Sequence, residues 1–214
     1  MTSLLYIADP MCSWCYGFGP ELEALRAGMG GIPVDVVVGG LRAYNTEAMG
    51  EEQRRTILEH WHHVAERSGL PFDDAALSRP GFVYDTEPAC RAVVAVRSLS
   101  PAAALPAFLA MQRAFYAEGR DVTDPMLLAD ICSAVLRDAG LDVDAEAFHQ
   151  LWQAESSKAA ARADFMQTQR WGVRGFPTLV LARDDRLDLV CAGYMKADAL
   201  RDVVQQLLAE DAPH

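Results

Sequence analysis

Long apolar segments are scarce in this chain of 214 residues. No window approaches the roughly 18 uninterrupted apolar residues of a membrane-spanning helix. The opening stretch, MTSLLYIADP, carries no basic residue and soon reaches a proline, which is untypical of a secretory leader and typical of a first strand. We therefore expect a cytoplasmic protein that does not bind a membrane.

Basic residues are also in short supply. Lysine and arginine number 19 against 30 aspartates and glutamates, so the formal net charge is −11 at pH 7. An acidic surface repels nucleic acid and anionic lipid at long range, and no basic run interrupts it. Nucleic acid is therefore not an expected partner, while the 51% of hydrophobic residues predicts a sizeable core.

Cysteine is sparse, and its odd number of five excludes a fully paired disulfide framework. Cys90, Cys132 and Cys191 each stand alone in apolar surroundings, as small buried residues do. Cys12 and Cys15 differ, because only two residues separate them in MCSWCYGFGP. In a reducing compartment such a close pair is more often catalytic or metal-binding than structural.

Motifs of other enzyme classes are missing. The sequence contains no GxGxxG, P-loop, HExxH or GxSxG pattern. No second cysteine pair follows to complete a set of zinc ligands, and His60, His62 and His63 are explained by a solvated helix surface, because adjacent residues do not share a helix face. We expect no metal site, although the spacing of the cysteines alone leaves a redox pair, metal ligands and two buried thiols all open.

Strand-like runs occur only near the two ends of the sequence. A short crossover between the first two strands predicts that they are parallel, and the turn RDDR predicts an antiparallel hairpin for the last two. The predicted strands lie at 3–8, 32–40, 177–182 and 187–193, and helices lie at 12–27 and 196–210.

Helical patterns fill the middle of the chain. Asp85 with Thr86, and later Thr123, predict helix starts, whereas Pro106 predicts a kink or a split and Gly69 a helix end. The predicted segments are 46–69, 85–99, 100–119, 123–140 and 144–172, the last with two helices. A structureless loop of this length is improbable. We predict a helical subdomain at 46–170, inserted into an α/β domain made of 1–45 and 171–214.

The position of Cys12 before a helix favours a nucleophile. The reactive species is the thiolate, which the free N–H groups and the positive end of a helix dipole stabilise. Cys15 lies one turn later, close enough to attack a mixed disulfide on Cys12 and release the substrate. We expect Cys12 to lie exposed at the turn and Cys15 to be more buried.

A proline precedes the third predicted strand in WGVRGFPTLVL, residues 171–181. Proline at a strand start removes a donor from the ladder and can mark a sheet edge. Alternatively, a cis Phe176–Pro177 bond would turn the backbone of Phe176 toward the cysteine pair, where an incoming peptide can add as a strand. The peptide alone does not decide between the two.

Taken together, these features resemble the DsbA-like branch of the thioredoxin-fold superfamily, close to the cytoplasmic FrnE-type oxidoreductases. The residues that carry the resemblance are Cys12-Ser13-Trp14-Cys15, the Gly-Phe-Pro-Thr of 175–178, YDTEPACR (84–91) and the helical insertion. The resemblance covers nearly the whole chain. It implies an α/β thioredoxin fold, with a mixed parallel and antiparallel sheet and a large all-α insertion. It also implies a thiol-disulfide oxidoreductase that oxidises, reduces or isomerises protein disulfides.

The resemblance implies roles for individual residues. Cys12 would be the nucleophile and Cys15 the resolving thiol, with Pro177 as a cis-proline facing them and Phe176 contacting substrate. No cofactor beyond the redox-active disulfide is implied. The implied substrates are thiol- or disulfide-containing proteins or peptides, with glutathione as an additional co-substrate.

Three further residues lie between the cysteines or shortly before them. We expect Trp14 to contact apolar parts of a substrate and Ser13 to offer a hydrogen bond to Cys12. Asp9 is either a carboxylate that ends the first strand before Pro10 or, if buried nearby, an acceptor for the proton of Cys15. The Ser13-Trp14 linker differs from the Gly-Pro of thioredoxin and the Pro-His of periplasmic DsbA, and the missing histidine argues against an extreme oxidant.

Two alternative functions stay open. Glutathione-dependent isomerases and transferases of related architecture (2-hydroxychromene-2-carboxylate isomerase and the kappa class) typically carry serine where Cys12 stands. A non-catalytic chaperone or interaction module would instead use the helical subdomain to bind partners.

Overall fold

The computed structural model describes residues 2–184 and 186–210. Four strands and eight α-helices occur among these residues. They are β1 Thr2–Ala8, α1 Ser13–Gly28, β2 Val34–Val38, α2 Glu51–Ser68, α3 Glu87–Leu99, α4 Ala104–Gln112, α5 Pro125–Asp138, α6 Ala145–Gln153, α7 Glu155–Arg170, β3 Thr178–Arg183, β4 Arg186–Ala192 and α8 Ala197–Ala209.

The strands form one mixed sheet in the order β2-β1-β3-β4. β1 pairs with β2 in parallel, while β3 pairs antiparallel with both β1 and β4, so the predicted sheet and hairpin are confirmed. β3 lies inside the sheet, and the idea that Pro177 marks a sheet edge is therefore wrong. Asp185, within the predicted RDDR turn, lies outside the described residues.

The core is continuous between the sheet and the helices. Tyr6 of β1 is fully buried, with its ring stacked on Phe18 of α1 at 5.9 Å and edge-on to Phe108 of α4 at 5.5 Å. A buried aromatic side chain stabilises the fold by about 1.5–3 kcal/mol. Because α4 belongs to the predicted insertion, its contacts anchor that insertion to the sheet. The discontinuous domain division itself stays a prediction.

In the helical stretch between β2 and β3, a predicted cap and a predicted proline kink differ from the structure. Asp124, not Thr123, caps α5, since its Oδ1 accepts the amide hydrogen of Met126 at 2.8 Å. Pro106 does not split a helix, because α4 begins only two residues before it. In a first turn the missing N–H of proline removes no intrahelical hydrogen bond.

α2 packs against α1, since a Cβ on Gly17 of α1 would lie 2.6 Å from Val64 Cγ1 of α2. It begins at Glu51, later than predicted, and ends at Gly69, whose φ of 74° is left-handed, as the sequence predicts. Trp61 of α2 is buried and packs on Tyr116 at 4.9 Å. No helix among the described residues is both long and apolar enough to cross a bilayer.

Candidate active site

Cys12 is the N-cap residue of α1, and its side chain replaces the usual serine or aspartate cap. The amide of Cys15 donates a hydrogen bond to Cys12 Sγ at 3.4 Å. The thiol of Cys12 donates in turn to the carbonyl oxygen of Phe176 at 3.7 Å. The first turn of α1 and the segment before β3 thus meet at one sulfur atom.

The two thiols differ in their surroundings. Both are free cysteines; Cys15 is fully buried and Cys12 is 6% exposed, so the expectation of an openly exposed Cys12 is wrong. Burial, followed by the contact with Cys12, raises the pKa of Cys15 well above its usual range. Cys15 therefore holds its proton more tightly than a free thiol does.

Cys12 opens onto a small groove of about 290 Å³, which we call the dithiol groove. The groove lies between the start of α1, the loop after β2, helix α2 and the segment before β3. Its lining includes Trp14, Leu41, Arg42, His60 and Phe176. The carboxyl ends of the parallel strands β1 and β2 lead into it, which is where α/β sheets commonly bind ligands.

The segment before β3 forms one side of the dithiol groove. The Phe176–Pro177 peptide bond is cis, and the carbonyl of Pro177 accepts the amide hydrogen of Gly193 at 2.8 Å. The Phe176 ring fills the space above Gly39, where a Cβ would lie 2.1 Å from Phe176 Cζ. The Phe176 carbonyl is thus held beside Cys12.

Two polar residues of the groove, Arg42 and His60, are not predicted from the sequence as site residues. Arg42 is half-buried, with its guanidinium carbon 5.2 Å from the centre of the Tyr84 ring, and His60 is exposed on α2. The position of Arg42 just after the parallel β1–β2 pair was the available signal for it. The sequence pattern predicts a solvated helix surface for His60. Only the packing of α2 against α1 brings this residue to the groove.

Ser13 and Trp14, the two residues between the cysteines, differ in how the structure bears on their expected contacts; the contact of Trp14 with substrate stays a prediction. Trp14 is half-buried and packs on Tyr194, with ring centres 5.9 Å apart. The expected hydrogen bond from Ser13 to Cys12 is wrong, since within residues 2–184 and 186–210 the partners of Cys12 Sγ are the Cys15 amide and the Phe176 carbonyl.

Asp9 is completely buried, as expected, but its carboxylate has other partners. Its oxygens accept the amide hydrogens of Met11 at 2.8 Å and of Leu41 at 2.6 Å. The thiol of Cys90 lies 3.4 Å from Oδ2. Among the described residues no hydrogen bond joins this carboxylate to the Cys15 thiol, and proton transfer from Cys15 to Asp9 stays a prediction.

Of the two residues predicted to cap α3, Asp85 and Thr86, only Asp85 makes a capping hydrogen bond with its side chain. Asp85 Oδ1 accepts the amide hydrogen of Glu87 at 3.0 Å, as a capping side chain does. Thr86 occupies the N-cap position but makes no side-chain cap hydrogen bond. Its hydroxyl instead accepts the amide hydrogen of Arg42 at 3.2 Å and bonds to Asp9.

The chemistry of the described residues outside the groove is limited. A depression of about 470 Å³ on the β3–β4 side of the sheet is larger than the dithiol groove, but it is lined mainly by apolar residues such as Trp171, Val180 and Leu189 and contains no cysteine. Among the residues that the structure describes, no three histidine, cysteine or acidic side chains converge in a possible metal site. The dithiol groove is therefore the candidate active site.

Two bacterial proteins of known structure are similar to this chain over almost its full length. A candidate protein disulfide isomerase from Nitrosomonas europaea has 37% identity and a TM-score of 0.86, with 99% of both chains covered. The cytosolic disulfide reductase DsbM from Pseudomonas aeruginosa has 30% identity and a TM-score of 0.77, covering 97% of this chain and 99% of DsbM. DsbM has also been solved with GSH.

A curated relative is more distant. The ClpXP adapter protein SpxH from Halalkalibacterium halodurans is 26% identical over 183 residues, or 83% of this chain. The chain spans 57% of the length of that relative. The family model described as the DSBA-like thioredoxin domain matches residues 6–205, which is most of the sequence. With its mixed sheet and helical insertion, the chain belongs to the DSBA-like thioredoxin domain family and has the thioredoxin-like DsbA fold that its sequence predicts.

Proposed function

We propose that this protein is a cytoplasmic thiol-disulfide oxidoreductase in which Cys12 attacks and Cys15 resolves. The observation that carries the proposal is the position of Cys12: it caps α1, opens onto the dithiol groove and is backed by the buried Cys15. Similarity to a disulfide reductase and to a candidate disulfide isomerase supports the same chemistry. DsbM is cytosolic, which supports the proposed location and favours reduction as the direction.

The reaction follows from thiol–disulfide exchange. The Cys12 thiolate attacks one sulfur of a substrate disulfide, so that a mixed disulfide forms and the other substrate sulfur leaves as a thiolate, which takes up a proton. Cys15 then loses its proton and attacks Cys12 Sγ, which releases the second substrate thiolate. Two electrons pass to the substrate, and the protein ends as the Cys12–Cys15 disulfide.

The α1 cap geometry suits both steps. The amide of Cys15 points at Cys12 Sγ, and such an N–H group stabilises a sulfur that carries negative charge. The raised pKa of Cys15 keeps this thiol protonated until the mixed disulfide forms. Premature attack by Cys15 is thereby disfavoured, because only a thiolate is an effective nucleophile.

Glutathione is the proposed co-substrate that returns the oxidised protein to the dithiol. Two glutathione molecules would each supply one electron and leave as glutathione disulfide. Arg42 and the ring nitrogens of His60 are among the polar groups that the groove offers to a carboxylate. The solved structure of DsbM with GSH supports glutathione as a ligand for this architecture. The proposed macromolecular substrates are disulfide-containing proteins or peptides.

The decisive experiment compares wild type, two active-site variants and one control variant in the reduction of glutathione disulfide and of a small disulfide peptide. Wild type is expected to reduce both, and Cys12→Ser neither. Cys15→Ser is expected to stop at a mixed disulfide, which intact-mass measurement detects. Cys132→Ser is the matched control, because Cys132 is a buried thiol of α5 and lies outside the groove.

Other outcomes point to the alternatives. Full activity of Cys12→Ser on a glutathione conjugate would replace the proposal by a glutathione-dependent isomerase or transferase. Chaperone activity that survives the loss of both cysteines, in a protein that reduces no disulfide, would replace it by a non-catalytic module.

A further inference from the structure

Asp9 carries a carboxylate that is buried yet surrounded by donors. It is 0% exposed and accepts hydrogen bonds from the amides of Met11 and Leu41. The Thr86 hydroxyl and the Cys90 thiol also bond to it. Burial raises the pKa of Asp9, and the hydrogen bonds oppose that rise. A group whose neighbours are all donors acts as an acceptor only, which is the property of an ionised carboxylate.

These donors come from three separate parts of the chain. Met11 belongs to the turn before Cys12, Leu41 to the loop after β2, and Thr86 with Cys90 to the start of α3. Met11 and Leu41 both line the dithiol groove. One carboxylate therefore joins two sides of the groove to the helical insertion.

The turn before Cys12 is held from its other side as well. The carbonyl of Met11 accepts a hydrogen bond from the hydroxyl of Tyr84, a buried residue that precedes α3. The amide of Cys12 donates to the backbone carbonyl of Asp9 at 3.0 Å. The peptide units on both sides of Met11 are thus restrained immediately before the sulfur that would attack a substrate.

We propose that Asp9 is a positioning residue of the dithiol site: its carboxylate holds the Met11–Cys12 turn and Leu41 against the start of α3, which keeps Cys12 aligned with Phe176 and Cys15. This inference rests on the proposed function. It differs from a role in proton transfer, because the hydrogen bonds of the carboxylate go to Met11, Leu41, Thr86 and Cys90 and not to the Cys15 thiol.

The charge of Asp9 has a second effect at the same site. The groups that face the Cys15 thiol include Cys12, which opposes its ionisation, and Asp9, whose backbone favours ionisation and whose carboxylate charge opposes it. The hydroxyl of Tyr6 donates to the Cys15 carbonyl at 3.2 Å. Removing the Asp9 charge therefore makes the Cys15 thiol easier to ionise. Because Cys15 holds its proton near neutral pH, the loss of alignment is best measured there as the rate at which Cys12 attacks a disulfide.

Asp164 provides a matched control elsewhere in the fold. Its carboxylate also accepts a backbone amide hydrogen, from Val38 at 3.0 Å, and it pairs with Arg97 at 2.8 Å. It does not line the dithiol groove. Asp164→Asn and Asp9→Asn each remove one negative charge from a carboxylate that anchors backbone, but only Asp9 lies beside the cysteines.

The experiment measures the rate constant with which reduced, full-length wild type, Asp9→Asn and Asp164→Asn attack glutathione disulfide. We expect Asp9→Asn to lower this rate constant about tenfold, because the turn that carries Cys12 loses its anchor and a small misplacement of a reacting group costs a large factor in rate. The ¹³Cβ resonance of Cys15 should titrate at lower pH in this variant. Asp164→Asn should change the constant less than twofold, although urea unfolding shows a loss of stability.

Several results would overturn the inference. An unchanged constant in Asp9→Asn, or an equal shift in both variants, would mean that Asp9 acts only in the fold. If Asp9→Asn does not fold, Thr86→Val tests the same contact with the charge retained; we expect Cys12 to attack glutathione disulfide at least threefold more slowly, and an unchanged rate overturns the inference. A wild-type dithiol that does not exchange with glutathione disulfide or with the disulfide peptide contradicts the proposed function instead.

Discussion

The ring of Phe176 lies on Gly39, the residue that follows β2, so closely that no side chain fits between them. A Cβ at residue 39 would lie 2.1 Å from Cζ and 2.2 Å from Cε1 of Phe176. Since the carbonyl of Phe176 faces Cys12 Sγ at 3.7 Å, the end of β2 fixes the segment that borders the nucleophile. Two regions far apart in the sequence thereby determine one side of the groove.

We predict that Gly39→Ala slows the reaction more than it destabilises the fold. The added methyl group must displace the Phe176 ring, and with it the carbonyl beside Cys12. We expect the rate constant for attack on glutathione disulfide to fall about tenfold, or about 1.4 kcal/mol in activation free energy. Stopped-flow measurement under single-turnover conditions checks this value.

Gly50→Ala is the control for this substitution, since a Cβ there meets no atom within 4 Å. It should leave the rate within twofold of wild type. A Gly39→Ala protein as fast as Gly50→Ala would show that Phe176 does not need its present position for attack.

Arg42→Gln should weaken the binding of anionic substrates. The half-buried guanidinium borders the groove, and a hydrogen bond to a charged group contributes about 1.5–3 kcal/mol. We expect KM for glutathione disulfide to rise about tenfold or more while kcat changes little. For bis(2-hydroxyethyl) disulfide, which has no carboxylate, both constants should stay near those of wild type.

The matched control for Arg42 is Arg54→Gln. Arg54 lies on α2 beside Glu51 at 3.7 Å, outside the dithiol groove. An equal rise in KM in both variants would indicate a general effect of charge, and equal loss for the charged and neutral disulfides would contradict a carboxylate-binding role.

Tyr84→Phe should destabilise the protein by about 1–3 kcal/mol, because it leaves the carbonyl of Met11 without its buried donor. Equilibrium unfolding in urea, with the dithiol reduced, measures the change. Tyr194→Phe is the comparison: its hydroxyl donates to Glu21 at 2.8 Å in a part-buried site, so a smaller loss is expected. Equal losses in free energy of unfolding would show that the hydrogen bond to Met11 stabilises the fold no more than the hydrogen bond to Glu21 does.

The stability of the reduced protein should fall above pH of about 8.5, the usual pKa of a cysteine, and Cys191 is one cause. Burial raises the pKa of Cys191 to about 11. Between these two pH values the unfolded chain has released this proton and the folded chain still holds it, so the free energy of unfolding decreases with rising pH. The folded thiol begins to ionise only near the upper value, where this loss of stability levels off.

Cys191→Ala removes this contribution. The difference in free energy of unfolding between wild type and variant should shift in favour of the variant by about 2 kcal/mol between pH 7.5 and 10. Urea unfolding under reducing conditions at both pH values measures it, and the other buried thiols cancel because both proteins contain them. A difference that is constant with pH would exclude a raised pKa for Cys191.

Much of the secondary structure could be predicted locally. Valine-rich strands, the glycine that ends α2 and the prolines in the first turns of α3 and α5 act within a few residues of their own positions, so the order of elements and the mixed sheet follow from them. Errors arose where two neighbouring residues were equally suitable, as with the cap of α5 at Asp124. The choice between them depends on side-chain geometry that a linear pattern does not contain.

Two features of the candidate site follow from the sequence alone: two cysteines one helical turn apart at the start of α1, and a proline before β3. The surroundings of these residues depend on long-range packing. Phe176 reaches Gly39, Arg42 and His60 join the groove, and the carboxylate of Asp9 binds backbone and α3 instead of Cys15. Each of these relationships links segments that are distant in the chain, and packing of the helical insertion against the sheet, not local propensity, brings them together.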